Sequence, residues 1–447
     1  MSILRKNKIR SSISPEIIQK YRGLYPGNEL ICKAPASSLY FHPDGEVVAC
    51  CLNKGAYAFG KYPAQSIQDL INSPQRKEQK KYIAHDNFSL GCKICEDNIV
   101  AENYGGLMAR TYSSLKIKFD KIRRIDFELS EFCNLDCIMC ERDKSDKKSL
   151  YGINFVSELL PLIPNLQYAF FFGGEPFMIP IYYDLWDSII RLNPACKIIV
   201  QTNGNVMNAR IERLLLHPGF LVAMSLDSLN DEKYDQIRKN GSLRTFMENF
   251  ELFNNAMKKK SQTMQISACP MRINWKEIPA LVEFCNKNAC RIFFNHVEFP
   301  DYLNLKNIPS GFLKIIIQYL KSQHRMEGKT DIEAENSRAF SGLLQLLEYW
   351  LSQSLVWESQ AVKITKHEVY EIMRNSFESS NEHFINEILK DAPGEWLIDE
   401  RSQSKIKNID FKNELQSLLN HNITIENIVL KARSLFKLNR LSNIIYE

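Results

Sequence analysis

No apolar run in the 447-residue chain approaches the roughly 18–20 residues needed to cross a bilayer, so no membrane partner is expected. Charge of one sign is also lacking: 57 Lys and Arg against 52 Asp and Glu leave a net +5. That balance argues against a nucleic-acid partner, and the basic runs at 76–81 and 258–260 read as solvated helix faces. The amino terminus carries Arg5, Lys6, Lys8, Arg10, Ser11 and Ser12 but no apolar core, which excludes a secretory signal and leaves an organelle transit peptide as the alternative. There is no internal repeat and no low-complexity linker. Hydrophobic residues at 45% and charged residues at 24% are those of a soluble globular protein, expected to be cytoplasmic, with room for two or three domains.

What the chain does have is cysteine, twelve in all. With nothing addressing it to an oxidising compartment, metal is a better account than disulfides. Seven of the twelve fall into two groups; Cys51, Cys196, Cys269, Cys285 and Cys290 are left over. One group is Cys133, Cys137 and Cys140, spaced C-x3-C-x2-C directly after the strand-like run 124–130. A structural zinc site closes four ligands around the metal, whereas an iron–sulfur cubane held by three cysteines leaves one iron open to another molecule.

The other group is Cys32, then Cys50 after seventeen residues, then Cys92 and Cys95 in a C-x2-C knuckle. The run from Ser38 to Cys50, with Pro43-Asp44-Gly45 at its centre, predicts a hairpin that returns Cys50 towards Cys32. A helix over 66–83 then leads to the knuckle. On spacing alone a zinc ribbon is a competing answer. Either Cys50 or Cys51 could be the ligand; Cys50 preserves the spacing.

From 125 to 300 a strand followed by a helix recurs six times. Strands are expected at 125–129, 168–172, 197–201, 221–226, 265–269 and 291–295, and helices at 180–192, 206–216 and 276–286. The alternation predicts an α/β fold with a parallel sheet whose functional rim lies at the carboxyl ends of its strands. Beyond 310 helical periodicity dominates: Phe340, Leu343, Leu344, Leu347, Trp350 and Leu351 form one stripe, and Leu415, Leu418, Leu419, Ile425, Ile428, Val429, Ala432 and Leu435 suggest two more helices. The expected organisation is a lead at 1–30, a small cysteine domain at 31–100, a connection at 101–124, the α/β domain at 125–309 and a helical region at 310–447.

Further motifs fall at the strand ends. Gly173-Gly174-Glu175-Pro176 follows the second strand, and its glycines would let backbone approach a ligand closely. Gln201-Thr202-Asn203-Gly204 ends the third, Ser225 the fourth, and Arg238 lies thirteen residues further on. An ordinary turn would explain Asn203, and a surface salt bridge to Glu232 or Asp235 would explain Arg238.

Taken together these motifs resemble the radical S-adenosylmethionine (SAM) family, and the N-terminal cysteines resemble the Twitch domain, a shortened SPASM domain. In that family the Twitch unit more usually follows the barrel. The resemblance implies a partial (β/α)6 TIM-like barrel with a small N-terminal iron–sulfur domain and a helical C-terminal region. It implies a [4Fe–4S] cluster on Cys133, Cys137 and Cys140, and an auxiliary [4Fe–4S] cluster on Cys32, Cys50, Cys92 and Cys95. SAM would be held by Gly173, Gly174, Glu175, Pro176, Asn203, Ser225 and Arg238. One electron, delivered by a flavodoxin- or ferredoxin-type donor, would cleave SAM to a 5′-deoxyadenosyl radical that takes a hydrogen atom from a peptide or small metabolite. Met139 departs from the aromatic residue common before the third cluster cysteine; its apolar thioether can fill the same space. An RNA-modifying member of the family and a non-catalytic zinc-binding interaction protein are the competing readings. Cys269, Asp227, Glu298 and Asp301 are further candidates at the rim for hydrogen-atom or proton transfer.

Overall fold

The computed structural model describes residues 9–27, 30–104, 107–113, 115, 121–140, 149–297, 300, 303–324, 328–360 and short pieces up to 398. The chain divides into two units: Met1–Ala268, Ala280–Asn295 and Arg325–Leu343 form the first, and Cys269–Pro279, His296–His324 and Leu344–Glu447 the second.

The first unit is built on one nine-stranded sheet. Its strands, with a separate two-residue pair, are β1 (Ser38–Phe41), β2 (Glu46–Val48), β3 (Gly60–Lys61), β4 (Arg124–Phe127), β5 (Asp136–Cys137), β6 (Tyr168–Phe171), β7 (Lys197–Thr202), β8 (Phe220–Ser225), β9 (Arg238–Lys239), β10 (Gln265–Ala268) and β11 (Arg291–Phe294). The sheet runs β11-β10-β8-β7-β6-β4-β1-β2-β3, and β5 pairs with β9 apart from it. Neighbours from β11 through β4 are all parallel, which gives the six-stranded α/β arrangement expected from the alternation. Observed strand ends differ from expectation by one or two residues, as strand termini commonly do.

The N-terminal hairpin adds itself to this sheet. β1 pairs parallel with β4, placing Tyr40 beside Asp126 and Phe41 beside Phe127, and antiparallel with β2. An uncovered β4 would present a row of unpaired backbone groups, and β1 satisfies them. The turn is the expected Pro-Asp-Gly one: Gly45 sits at φ +86, donating to the His42 carbonyl at 2.9 Å.

The two faces of the sheet differ. One is packed solid: Phe41, Phe127 and Phe171 stack at centroid spacings of 6.3 and 4.6 Å, and Trp186, from the helix Pro180–Leu192, meets Phe171 at 5.6 Å. Each such buried aromatic contributes on the order of 2–3 kcal/mol of transfer free energy. The other face is polar, buried at β1 and β4 and half-open from β6 onward. It carries Tyr40 and His42, Asp126 and Glu128, Phe170 and Phe172, Gln201, Ser225, and Gln265 and Ser267. Gln201 spans three strands there, donating to Ser225 Oγ at 2.8 Å and accepting from Ser267 Oγ at 3.2 Å.

The helix expected over 66–83 is two helices, Ile67–Ile71 and Pro74–Ile83. Pro74 cannot donate into a continuing helix, so Ser73 caps a new one, its side chain accepting from the Arg76 N–H. The helix expected over 206–216 shortens to Ala209–Leu214, capped by Asn208.

In the second unit, helix Ser310–Gln323 buries Leu313, Ile316, Ile317 and Leu320, and Trp275 meets Tyr319 edge-on at 5.2 Å. The long helix Asp331–Gln360, whose residues up to Leu343 belong to the first unit, carries the predicted stripe: Phe340, Leu343, Leu344, Leu347 and Trp350 are buried, and Leu351 is half-buried. A short antiparallel pair, Val362–Thr365 with Glu395–Ile398, follows. The two helices suggested by Leu415 to Leu435 lie outside the described residues. Among the described residues no helix is long and apolar enough to cross a membrane.

Candidate cluster and cofactor sites

Cys32, Cys50, Cys92 and Cys95 line one small cavity together, with no carboxylate in its wall. The hairpin returns Cys50 as expected, and the helix Lys93–Val100 starts between the last two cysteines. Asn53, fully buried, braces the set: its Nδ2 donates to the Gly91 carbonyl at 2.9 Å and to Cys92 Sγ at 3.5 Å, while Cys50 Sγ donates to its Oδ1 at 3.7 Å. Burial, and then the neighbouring thiols, push the Cys32 thiol up to about 12 and hold Cys50 and Cys95 well above the ordinary thiol range. A metal bound here must therefore displace protons.

Cys51 is not in that wall. Burial also raises its thiol, with Asp126 raising it further and Arg124 opposing, and it adds in turn to the upward shifts of Cys50 and Cys95. Of the two adjacent residues Cys50 lines the cavity, whereas Cys51 lies beside the buried ion pair of β4. Arg124 Nε meets Asp126 Oδ1 at 2.6 Å, and Tyr112, which lines the cavity, donates to Asp126 Oδ2 at 2.7 Å. Among the described residues no three His, Cys, Asp or Glu side chains close on a single metal ion.

The second group sits on the loop after β4, at the carboxyl end of the parallel sheet. Cys137, in β5, pairs in register with Arg238 in β9, and the Ile138 N–H donates to the Ile237 carbonyl at 3.0 Å. Asn203, after β7, donates to Asn134 Oδ1 at 2.8 Å and to Cys133 Sγ at 3.7 Å. The loop is thus tied to two other strand ends. Burial raises the Cys133 thiol to about 11, with Glu175 and Cys137 adding to the shift.

The Gly-Gly-Glu-Pro segment shows a use for its glycines that spacing did not reveal. Gly173 has φ +123, and a Cβ on Gly174 would stand 1.9 Å from the Phe132 carbonyl oxygen. The Gly174 and Glu175 N–H groups donate to the carbonyls of Ser130 and Phe132 at 2.9 and 2.8 Å. These glycines bring the backbone against the lead of the Cys133 loop. Pro176, buried, opens the short 3-10 turn Pro176–Met178.

Glu175 is fully buried and spends both oxygens inside the protein. Oε1 accepts from Thr202 Oγ1 at 2.8 Å and from the Phe177 N–H at 3.2 Å; Oε2 accepts from the Asn203 N–H at 2.8 Å. Burial lifts its carboxyl to about 7 despite those bonds. Thr202 carried no distinct signal in the sequence, yet it joins the β7 end to this carboxylate.

Arg238 is paired neither with Glu232 nor with Asp235. Its Nη2 meets Asp227 Oδ2 at 2.6 Å, both residues being buried. Asp227, expected as a rim proton acceptor, is instead the counter-ion of Arg238. Ser225, half-buried, is bonded to Gln201. Cys269 lies in the second unit and is half-buried, its carbonyl accepting from Asn274 Nδ2 at 3.0 Å. Glu298 and Asp301 lie outside the described residues.

Residues 127–285 match the radical SAM superfamily, and residues 32–97 match an iron–sulfur cluster-binding domain, SPASM. The chain thus contains a domain of the radical SAM superfamily over about a third of its length. It carries its cluster-binding domain ahead of the barrel, and the cofactors of these two domains are [4Fe–4S] clusters and SAM. Curated relatives include a probable GTP 3′,8-cyclase of Methanocaldococcus jannaschii, 26% identical over 38% of this chain and 58% of that protein. A GTP 3′,8-cyclase of Synechocystis sp. is 27% identical over 39% of this chain and 54% of that protein. The chain thus spans somewhat more than half the length of these relatives. Among solved structures, SAM-bound SuiB of Streptococcus suis aligns with a TM-score of 0.35 at 16% identity, over 45% of this chain and 44% of that one.

Proposed function

We propose that this chain is a cytoplasmic enzyme that cleaves SAM reductively and applies the resulting radical to a peptide or a small metabolite. Cys133, Cys137 and Cys140 hold the SAM-cleaving cluster, and Cys32, Cys50, Cys92 and Cys95 the auxiliary one. Gly173, Gly174, Glu175, Pro176, Asn203, Ser225 and Arg238 form the SAM seat, and a flavodoxin or ferredoxin supplies the electron. The observation that carries the reading is the convergence of distant motifs on one loop: Cys137 pairs with Arg238, Asn203 bonds to Cys133 and Asn134, and Gly174 and Glu175 bond to the loop's lead.

When bound, the reduced cluster and SAM supply a 5′-deoxyadenosyl radical that abstracts hydrogen from substrate. The chain's own residues position and enclose. Glu175 clamps the end of β7 to the glycine segment through two hydrogen bonds, from Thr202 and Asn203, while the Phe177 N–H holds its carboxylate in place. Asp227 holds in place the Arg238 guanidinium, whose remaining donors suit a carboxylate. Gln201 fixes the Ser225 hydroxyl.

Anaerobic reconstitution tests the reading. Two clusters per chain and formation of 5′-deoxyadenosine and methionine on reduction are expected, and replacing Cys133, Cys137 and Cys140 together by Ala removes one cluster and all cleavage. A chain that takes up only zinc and never cleaves SAM overturns it.

A further inference from the structure

β1 brings to the sheet a chemistry of its own. Because β1 runs parallel to β4, its carboxyl end lies at the same end of the sheet as the Cys133 loop and the Gly173-Gly174 segment. His42 follows directly on β1, as Glu128 follows β4, and the Glu128 N–H donates to the Phe41 carbonyl at 2.9 Å. With strands about 4.8 Å apart, two strand spacings put His42 on the order of 10 Å from the glycine segment after β6.

The imidazole is on the buried part of the polar face and leads to its half-open part: it stacks on Tyr40 at 6.4 Å, and Tyr40 meets the half-exposed Phe172 at 5.5 Å. It is 8% exposed. Its Nδ1 contacts Asp44 Oδ1 at 2.6 Å, and its Nε2 is buried with no hydrogen-bond partner among the described residues. A buried nitrogen without a partner costs about 1–3 kcal/mol, which a structural histidine would not be expected to retain.

We infer that His42, oriented by Asp44, is a substrate-contacting group of the barrel rim whose Nε2 accepts a hydrogen bond from a hydroxyl or ammonium group. This rests on the radical SAM reading, since that reading makes the rim a substrate chamber. The carboxylate fixes the ring with the proton on Nδ1, leaving the lone pair on Nε2, as an aspartate does for a catalytic histidine. Burial lowers the affinity of the ring for a second proton, with Lys54 acting in the same direction and Asp44 and Glu46 opposing. The ring is therefore neutral at pH 7. Asp126 on the same face already spends its oxygens on Arg124 and Tyr112, and Lys61 lies 3.4 Å from Asp44, so the acceptor this corner offers is Nε2 itself. A lone-pair nitrogen backed by the Asp44 carboxylate accepts from hydroxyls and amines, and that negative charge disfavours a phosphate.

The test uses the full chain, reconstituted and labelled with 15N-histidine, with His42→Asn identifying the His42 signals among those of eight histidines. The asparagine keeps a donor for Asp44 and deletes Nε2. The expected spectrum at pH 7 has a protonated Nδ1 and a lone-pair Nε2. Glucosamine should shift the Nε2 resonance, whereas glucose 6-phosphate should not. His42→Asn should weaken glucosamine binding at least fivefold with SAM affinity and cluster content unchanged, and Asp44→Asn should redistribute the tautomers and weaken it too. A protonated Nε2, an Nε2 signal unmoved by glucosamine, or equal glucosamine binding by His42→Asn overturns the inference. Failure of the wild-type chain to build clusters or bind SAM would instead sink the radical SAM reading, and is seen separately in its absorbance.

Discussion

Replacing Gly174 by Ala puts the packing of the candidate site to its sharpest test. An added Cβ would lie 1.9 Å from the Phe132 carbonyl oxygen, 2.4 Å from its carbon and 2.6 Å from the Glu131 carbonyl oxygen. All three are backbone atoms, so no side-chain rotation relieves the clash. The loop lead must retreat by about 1 Å to restore van der Waals contact, and overpacking of this kind costs about 1–3 kcal/mol. The retreat also strains the Gly174 to Ser130 and Glu175 to Phe132 hydrogen bonds, each worth about 1 kcal/mol. A destabilisation of about 2–4 kcal/mol follows, read as a lower denaturant midpoint, with loss of the cluster on Cys133, Cys137 and Cys140 from the iron content. Gly23→Ala is the control: it lies in helix Pro15–Leu24 with nothing within 4 Å of the new carbon, and should stabilise by about 0.5–1 kcal/mol. A Gly174→Ala protein with the parent's midpoint and full iron content would refute the reasoning.

Two further outcomes are expected. Cys50→Ser should remove the auxiliary cluster and about half of the iron, whereas Cys51→Ser should retain both clusters, because only Cys50 reaches the cavity; equal iron loss in the two variants would contradict that assignment. Glu175, lifted by burial from 4.5 to about 7, binds its proton more tightly in the folded chain than in the unfolded one. Its contribution to the stability of the cluster-free protein is therefore fully present below about pH 4.5 and is lost as pH rises to about 7. The span is on the order of 3 kcal/mol. Glu175→Gln should flatten that slope, as urea unfolding at several pH values would show; an unchanged slope would place the titration elsewhere.

The six parallel strands were legible because each is a short apolar run between amphipathic helices, and the half-open face keeps enough polar alternation to mark period two. The cysteine groups were legible because local spacing alone brings three thiols onto one loop. What could not be read were contacts made by residues distant in sequence and ordinary in type. Nothing local marks Asp227 as the partner of Arg238, since Glu232 and Asp235 are nearer along the chain and equally acidic. The break at Pro74 was readable in principle: Ser73-Pro74 is a helix start, yet the apolar and charged periodicity runs through it.

The parallel pairing of β1 with β4 also bears on the relation between the two clusters. β4 leads, at its carboxyl end, to the loop of Cys133, while its side chains Arg124 and Asp126 reach towards the auxiliary cavity through Tyr112. β1 carries Tyr40 and His42 on the polar face, and the hairpin it opens returns Cys50 to the cavity wall. One backbone ladder therefore sets the register of both thiol groups. A one-residue slip between β1 and β4 would exchange the faces of β1, driving Tyr40 and His42 into the aromatic stack of Phe127 and Phe171 and exposing Phe41. The buried aromatic face forbids that slip, so the packing that stabilises the sheet also holds the cavity of Cys32, Cys50, Cys92 and Cys95 in register with the Cys133 loop.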